Sequence, residues 1–226
     1  MAFSPPPPTD RRPLASRSVP LFSWLARRLG TLGISPNTIS IVSVVFAAVA
    51  ALALAQTPRH EGVPLRVAWL AAATCVQLRL LANMLDGMVA VEGGKASATG
   101  ELYNEIPDRI SDPLILIGAG YALGSSSVLG YLAAVLALLV AYVRALGTAA
   151  GAANDFCGPM AKPHRMFLIT LGCLYCGLAP ATWQPVHATG GWGVMAAVLG
   201  LIIFGSAVTA GRRTIRIAAA LEGRHR

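Results

Sequence analysis

Apolar residues fall in six long blocks, at residues 36–55, 67–91, 100–123, 128–150, 165–182 and 193–211. Each is close to the roughly 20 residues a helix needs to cross a hydrocarbon core. The fifth is the most interrupted, by Gly172, Gly177 and Pro180. Composition points the same way: hydrophobic residues make up 55% of the chain and charged residues 12%, against about 25% charged in an average soluble domain. Ahead of the blocks, Leu21, Trp24, Leu25, Leu29 and Leu32 repeat at helical spacing, with Arg27 and Arg28 on another face. That pattern suits a helix lying in the membrane interface. The expectation is an all-α integral membrane protein of six transmembrane helices preceded by an amphipathic interfacial helix.

Charge at the ends of the blocks sets the orientation. With six spans, both termini share a side that carries Arg11, Arg12, Arg17, Arg27, Arg28, Lys95, Lys162, Arg165, Arg212, Arg213, Arg216, Arg224 and Arg226, and the other side has only Arg59 and Arg66. The positive-inside rule then places both termini in the cytoplasm, with the 92–99 loop beside them. The setting expected is a bacterial inner membrane. Residues 1–19 contain a proline run and no apolar core with a cleavage site, so they read as a disordered cytoplasmic tail rather than a secretory signal. Residues 20–215 form the membrane domain and 216–226 a basic cytoplasmic tail. The net charge of +8 is spread over helix ends with no aromatic-interleaved patch, which argues against nucleic acid as a partner. The cysteines Cys75, Cys157, Cys173 and Cys176 give no disulfide framework, and the single CxxC lacks the second pair that a zinc site wants.

One stretch runs against the oily background. Residues 83–112 hold six of the chain's ten acidic residues: Asp86, Glu92, Glu101, Glu105, Asp108 and Asp112. A carboxylate at the centre of a membrane helix costs roughly 2.5–3.5 kcal/mol on insertion scales, so a partner must offset it. On the second helix Arg79, Asn83, Asp86 and Ala90 share one face. On the third, Glu101, Asn104, Glu105, Asp108 and Asp112 fall on one arc. The short EGGKASAT connection makes the two helices antiparallel neighbours whose polar faces can meet. Oxygen ligands from two helices suit a hard cation, Mg²⁺ or Mn²⁺, and the absence of histidine and cysteine from the stretch argues against zinc, copper or iron. Gly87, Ala90 and Gly100, beside the acids, serve either close helix packing or the approach of a nucleotide to the backbone.

These residues resemble the signature of the CDP-alcohol phosphotransferases, D-x2-D-G-x2-A-R-x8-G-x3-D-x3-D. The chain reads Asn83-x2-Asp86-Gly87-x2-Ala90-Val91-x8-Gly100-x3-Asn104-x3-Asp108. Every spacing is kept. Three identities differ: Asn83 and Asn104 stand where the family has acids, and Val91 where it has arginine. GISPNTIS, residues 33–40, looks like the family's usual entry to its first membrane helix, and Asp108-Arg109-x2-Asp112 resembles an extension in some members. The resemblance covers about residues 20–215.

The resemblance implies a six-helix membrane enzyme, often a homodimer. Such an enzyme transfers a phospho-alcohol group, here a phosphatidyl group, from a CDP-alcohol lipid to an acceptor hydroxyl and releases CMP, in phospholipid biosynthesis. It implies Mg²⁺ or Mn²⁺ among Asn83, Asp86, Asn104 and Asp108, with Asp108 as general base. Glu101, Glu105 or Asp112 would make up the lost negative charge, and Lys95 the lost arginine. Gly87, Ala90, Lys95 and Gly100 would face the CDP group, and Arg144, Lys162 and Arg165 a phosphate on the acceptor. The acceptor alcohol itself is beyond any spacing argument. Two other classes compete: a catalytically weakened member serving as a lipid- or nucleotide-binding or scaffold protein, motivated by the two asparagines and Val91, and a cation transporter, disfavoured by the lack of internal repeats.

Overall fold

The computed structural model describes residues 20–92, 100–184 and 191–223. Lys95 and the tails 1–19 and 224–226 lie outside the described residues, as do the side chains of Glu101 and Asn104. The described chain is all-helical: α1 (Pro20–Thr31), α2 (Pro36–Gln56), α3 (Gly62–Glu92), α4 (Gly100–Gly120), α5 (Ser127–Ala149), α6 (Lys162–Leu178) and α7 (Val194–Glu222). Short 3₁₀ turns follow α2 and α6.

Local chemistry explains where α2 starts. The Ser35 hydroxyl accepts the Thr38 N–H at 3.1 Å, and Pro36 fills a first-turn position whose missing N–H costs no hydrogen bond. Helix α4 contains Pro107 and Pro113. Each removes one ladder hydrogen bond, next to Asp108 and Asp112, a loss that neighbouring helices make tolerable in membrane proteins.

The six long helices close into a ring in the order α2, α3, α6, α7, α5, α4. Helix α2 packs on both α3 and α4, and the backbones of α3 and α4 approach each other little. The expected α3–α4 neighbour pair is therefore wedged by α2, and its polar faces meet through long side chains instead. Inside the ring, Trp69, Val76, Ile115, Met166, Met195 and Leu199 belong to one buried cluster with many alanines. Outside it, Val45, Leu52, Val135, Phe167, Leu201 and Phe204 are exposed. Small residues within and large apolar residues without is the distribution of helices that pack in lipid. By length and composition α2, α3, α5 and α7 are able to cross a membrane. Helix α4 is too charged and α6, at 17 residues, too short to meet the same measure.

Helix α1 lies on the second half of α3, with Phe22, Leu25, Ala26 and Leu29 packed against Leu85, Met88 and Val89. Leu21, Trp24 and Leu32 stay exposed. The stripe read from the sequence is thus shared between protein and surroundings.

Glycine sets the tightest approach. A Cβ on Gly118 would lie 2.5 Å from the Ala51 Cα of α2. Gly118→Leu is expected to destabilise the protein by about 1–3 kcal/mol through overpacking, seen as a lower thermal unfolding midpoint in detergent. An unchanged midpoint would contradict this packing of α2 on α4.

Candidate active site

Ring closure brings two carboxylates and three cations together between α3, α4 and α6. Arg79, completely buried on α3, donates from Nη2 to Asp108 Oδ1 at 3.0 Å and to Asp112 Oδ1 at 2.8 Å. Arg165 of α6 donates from Nη2 to Asp112 Oδ2 at 2.7 Å and from Nη1 to the Met160 carbonyl at 3.0 Å. Lys162, at the start of α6, pairs with Asp108 Oδ2, and the Asn83 amide donates to Asp108 Oδ1. Asp112 therefore has both oxygens held by arginines, and Asp108 carries three partners. Four ion pairs fasten α4 to α3 and α6. Buried pairs contribute little net stability, but losing one partner is costly because the other charge is left uncompensated.

Asp86 stands apart from this lattice. It is 3% exposed, and the Ser40 hydroxyl of α2 donates to its Oδ2 at 2.5 Å. Its Oδ1 has no partner, and neither does the buried Asn83 Oδ1. Residues three apart on a helix are surface neighbours, so two orphaned oxygen acceptors sit side by side on α3. Buried acceptors without donors are uncommon and call for an explanation. An oxygen-seeking divalent cation supplies one. Among the described residues no group of three or more carboxylate, histidine or cysteine side chains is arranged to hold a metal. The fit thus rests on one carboxylate and one amide. A Cβ added to Gly87, directly after Asp86, would meet no atom of the described residues within 4 Å, so the backbone here is open to an incoming group rather than closed by helix packing. Ala90, one turn further on, is half-buried, and Gly100 opens α4.

Glu105 departs from the arrangement read off its arc. It turns toward α5, where Arg144 Nη2 contacts its two oxygens at 2.8 and 3.0 Å, and Arg109 of its own helix pairs with it as well. Arg144 also lies over the Phe156 ring at 5.5 Å, a cation–π contact. Neither Glu105 nor Asp112 is thus offered to a cation here, because each already has arginine partners. The three cations expected to meet a phosphate differ in access. The Lys162 and Arg144 side chains are 25% and 22% exposed, and that of Arg165 is 4% exposed and committed to Asp112 and Met160.

The α5–α6 loop is tied to α7. Arg213 donates to the Cys157 and Val140 carbonyls at 2.9 and 3.1 Å, the Met160 N–H donates to Thr209 Oγ1 at 2.9 Å, and Arg216 pairs with Asp155 at 3.0 Å. Burial pushes the Asp155 carboxyl up, but the Cys157 N–H and thiol together with Arg216 and Arg213 hold it below its ordinary value. Burial and then the facing Asp155 push the Cys157 thiol up.

Arg79 and Ser40 received no role from the sequence, and Arg213, expected to anchor the last helix to anionic headgroups, is buried and bonded to backbone carbonyls instead. Arg79 was legible in principle, since it shares a face with Asn83 and Asp86 and lies within an apolar helix, where an ionised side chain is a functional signal. Ser40 and Arg213 carried no such signal.

No family model matches the chain. Curated relatives do. A phosphatidylinositol phosphate synthase of Mycobacteroides abscessus is 28% identical over 184 residues, covering 79% of this chain and 77% of the relative. One of Mycobacterium marinum is 26% identical over 195 residues, covering 84% and 76%. The fold matches the crystal structure of Mycobacterium tuberculosis phosphatidylinositol phosphate synthase in complex with manganese and citrate, with TM-score 0.69, 21% identity and coverage of 87% of this chain and 88% of that one. In sequence and in fold the chain is similar to phosphatidylinositol phosphate synthases. The same mycobacterial enzyme with CDP-DAG bound matches with TM-score 0.68 at 22% identity, over 87% of this chain and 93% of that one. The chain keeps the spacing of the motif it resembles and puts amides at Asn83 and Asn104.

Proposed function

We propose that the chain is a membrane transferase that moves a phosphatidyl group from a CDP-alcohol lipid to an acceptor hydroxyl and releases CMP, in phospholipid synthesis. The observation that carries this reading is the hydrogen bond from Asn83 to Asp108, which joins the α3 and α4 halves of the motif, with Asp86 buried three residues further along α3. The relatives' name and the CDP-DAG complex support the donor, and the name supports an inositol phosphate as acceptor. The manganese complex supports Mg²⁺ or Mn²⁺ as cofactor.

A divalent cation held by the oxygens of Asn83 and Asp86, with Asn104 as a further ligand position, would neutralise charge on the diphosphate as CMP leaves. Gly87 leaves the α3 backbone open beside it for the CDP group. Asp108 is the general base. Arg79 and Asn83 fix its Oδ1, so Oδ2 is the oxygen that takes the acceptor's proton. In the structure that oxygen is held by Lys162. A phosphate on the acceptor offers the ammonium a more highly charged partner, and as Lys162 turns to it the hydroxyl takes its place at Oδ2. Binding the right acceptor thereby uncovers the base. Arg144, at a partly open edge, adds a second phosphate contact, and buried Arg165 positions the cluster through Asp112.

Lys162→Ala is expected to lower kcat/KM for a phosphate-bearing acceptor by about 10- to 150-fold, the worth of one hydrogen bond to a charged group. The KM for the CDP-lipid should hardly change. An equal rise in both KM values would contradict the assignment.

In this reading all six long helices span the membrane, α4 and α6 being sheltered by their ion pairs, and α1 lies at the interface with Leu21 and Trp24 toward lipid. The positive-inside asymmetry puts the termini and the centre on the cytoplasmic side of a bacterial inner membrane. The family resemblance adds a homodimer. Asn83, Asn104 and Val91 favour one alternative, a weakened member that binds lipid or nucleotide without turnover. Purified protein with Mg²⁺ or Mn²⁺, labelled CDP-diacylglycerol and a panel of alcohols and phosphorylated alcohols separates the two. CMP release with one acceptor supports the transferase, and none with any acceptor supports the alternative.

A further inference from the structure

Asp108 is hydrogen-bonded to another motif position, Asn83, and among the described residues its partners are all nitrogen donors. Its Oδ1 receives Arg79 and Asn83 and its Oδ2 Lys162. Arg79 is fully buried and bridges Asp108 to Asp112, so its guanidinium is a fixed positive charge that cannot turn out to solvent. Four carboxylates suit a pair of dications, which clamp the attacking and leaving oxygens of a phosphoryl transfer together. Here two of those four positions are neutral amides, and a third, Asp108, is taken by a guanidinium. Among the buried side-chain carbonyl and carboxylate oxygens of the described residues, Asp86 Oδ1 and Asn83 Oδ1 are left unpartnered.

We infer that this is a one-cation centre: a single divalent ion binds at Asn83 and Asp86, and the guanidinium of Arg79 fills the electrostatic place of a second ion beside Asp108. The inference deepens the transferase reading and rests on it for its mechanistic meaning. The charges support it. Asp86, Asp108 and Asp112 are matched by Arg79, Lys162 and Arg165 before any metal is added. One dication then leaves a double positive charge, which suits the two negative charges of a diphosphate diester. A second dication beside Arg79 would face like charge, and among the described residues Asp108, Asp112 and Glu105 are already paired with cations. The arrangement also leaves Asp108 Oδ2 to act as a base rather than a ligand, since Lys162 can move and Arg79 cannot.

The test uses the full chain in detergent with Mn²⁺ alone, counting bound ions by equilibrium dialysis and reading their electron paramagnetic resonance spectrum. One Mn²⁺ per chain with the spectrum of an isolated ion is expected. Asp86→Ala should remove it, and Asn83→Asp should tighten it about tenfold or more, because cation affinity follows ligand charge. Two Mn²⁺ per chain with spin-coupled spectra would overturn the inference, as would no bound Mn²⁺, or a single ion indifferent to Asp86→Ala. The wild-type count needs no variant to fold. CMP release is scored separately. A chain that transfers lipid but binds two ions refutes the one-cation centre and leaves the transferase standing. A chain that binds one ion at Asp86 and releases no CMP supports the cation count and refutes the transferase.

Discussion

Asp112→Ala is expected to destabilise the protein by about 3–5 kcal/mol, the cost of removing one partner from a buried ion pair. Arg79 and Arg165 are 0% and 3% exposed, and both donate to Asp112. Without it, Arg165 keeps the Met160 carbonyl as its partner and Arg79 keeps Asp108. Arg79 already has Nε and Nη1 without partners, and Arg165 its Nε, so the change adds to nitrogen donors that are already unpaired. The expected observation is a marked fall in the unfolding midpoint in detergent and poor recovery from membranes. Asp112→Asn should fall less, because an amide oxygen still accepts a hydrogen bond. A stable Asp112→Ala protein would mean that the lattice joining α3, α4 and α6 is not what holds the ring closed here.

Asp108→Asn should have the opposite profile. Removing a general base lowers kcat by about 10²- to 10⁴-fold, and the amide oxygen can still accept from Arg79, so the fold should survive. Binding of the CDP-lipid should change little, since Gly87 and Asp86 lie on α3 and not on α4. Measured kcat, donor KM and midpoint together distinguish the outcomes. A protein that keeps its rate would move the base elsewhere. One that loses rate and stability together would place Asp108 with Asp112 as a structural anion.

The contrast between these neighbours marks how much the sequence discloses. The six apolar blocks locate the six long helices, because the solvent imposes block length directly. Their ends are less well marked. Helix α7 runs to Glu222, past the block's end at residue 211, and α3 begins at Gly62, because a helix need not stop where lipid does. The face joining Arg79, Asn83 and Asp86 is legible because helical periodicity is fixed. What spacing does not carry is which helices become neighbours. Asp108 and Asp112 share an arc with Glu105, yet the first two meet α3 and α6 while Glu105 meets Arg144 of α5. That division follows from α4 sitting in the ring between α2 and α5. The same ring order makes Arg79, a residue with no motif position, the central cation of the site. It also explains why Asp112, on paper a reserve ligand, is held by two arginines.

The central claim is that a centre with two motif carboxylates and two motif amides still performs phosphatidyl transfer. The most direct measurement is CMP release from CDP-diacylglycerol by purified protein in proteoliposomes, with Mn²⁺ or Mg²⁺ and an inositol phosphate, beside an Asp108→Asn control. CMP formation should require the divalent ion and the acceptor, match the phospholipid formed, and be lost in the control. No CMP above the control, with CDP-lipid still bound, would contradict the central claim.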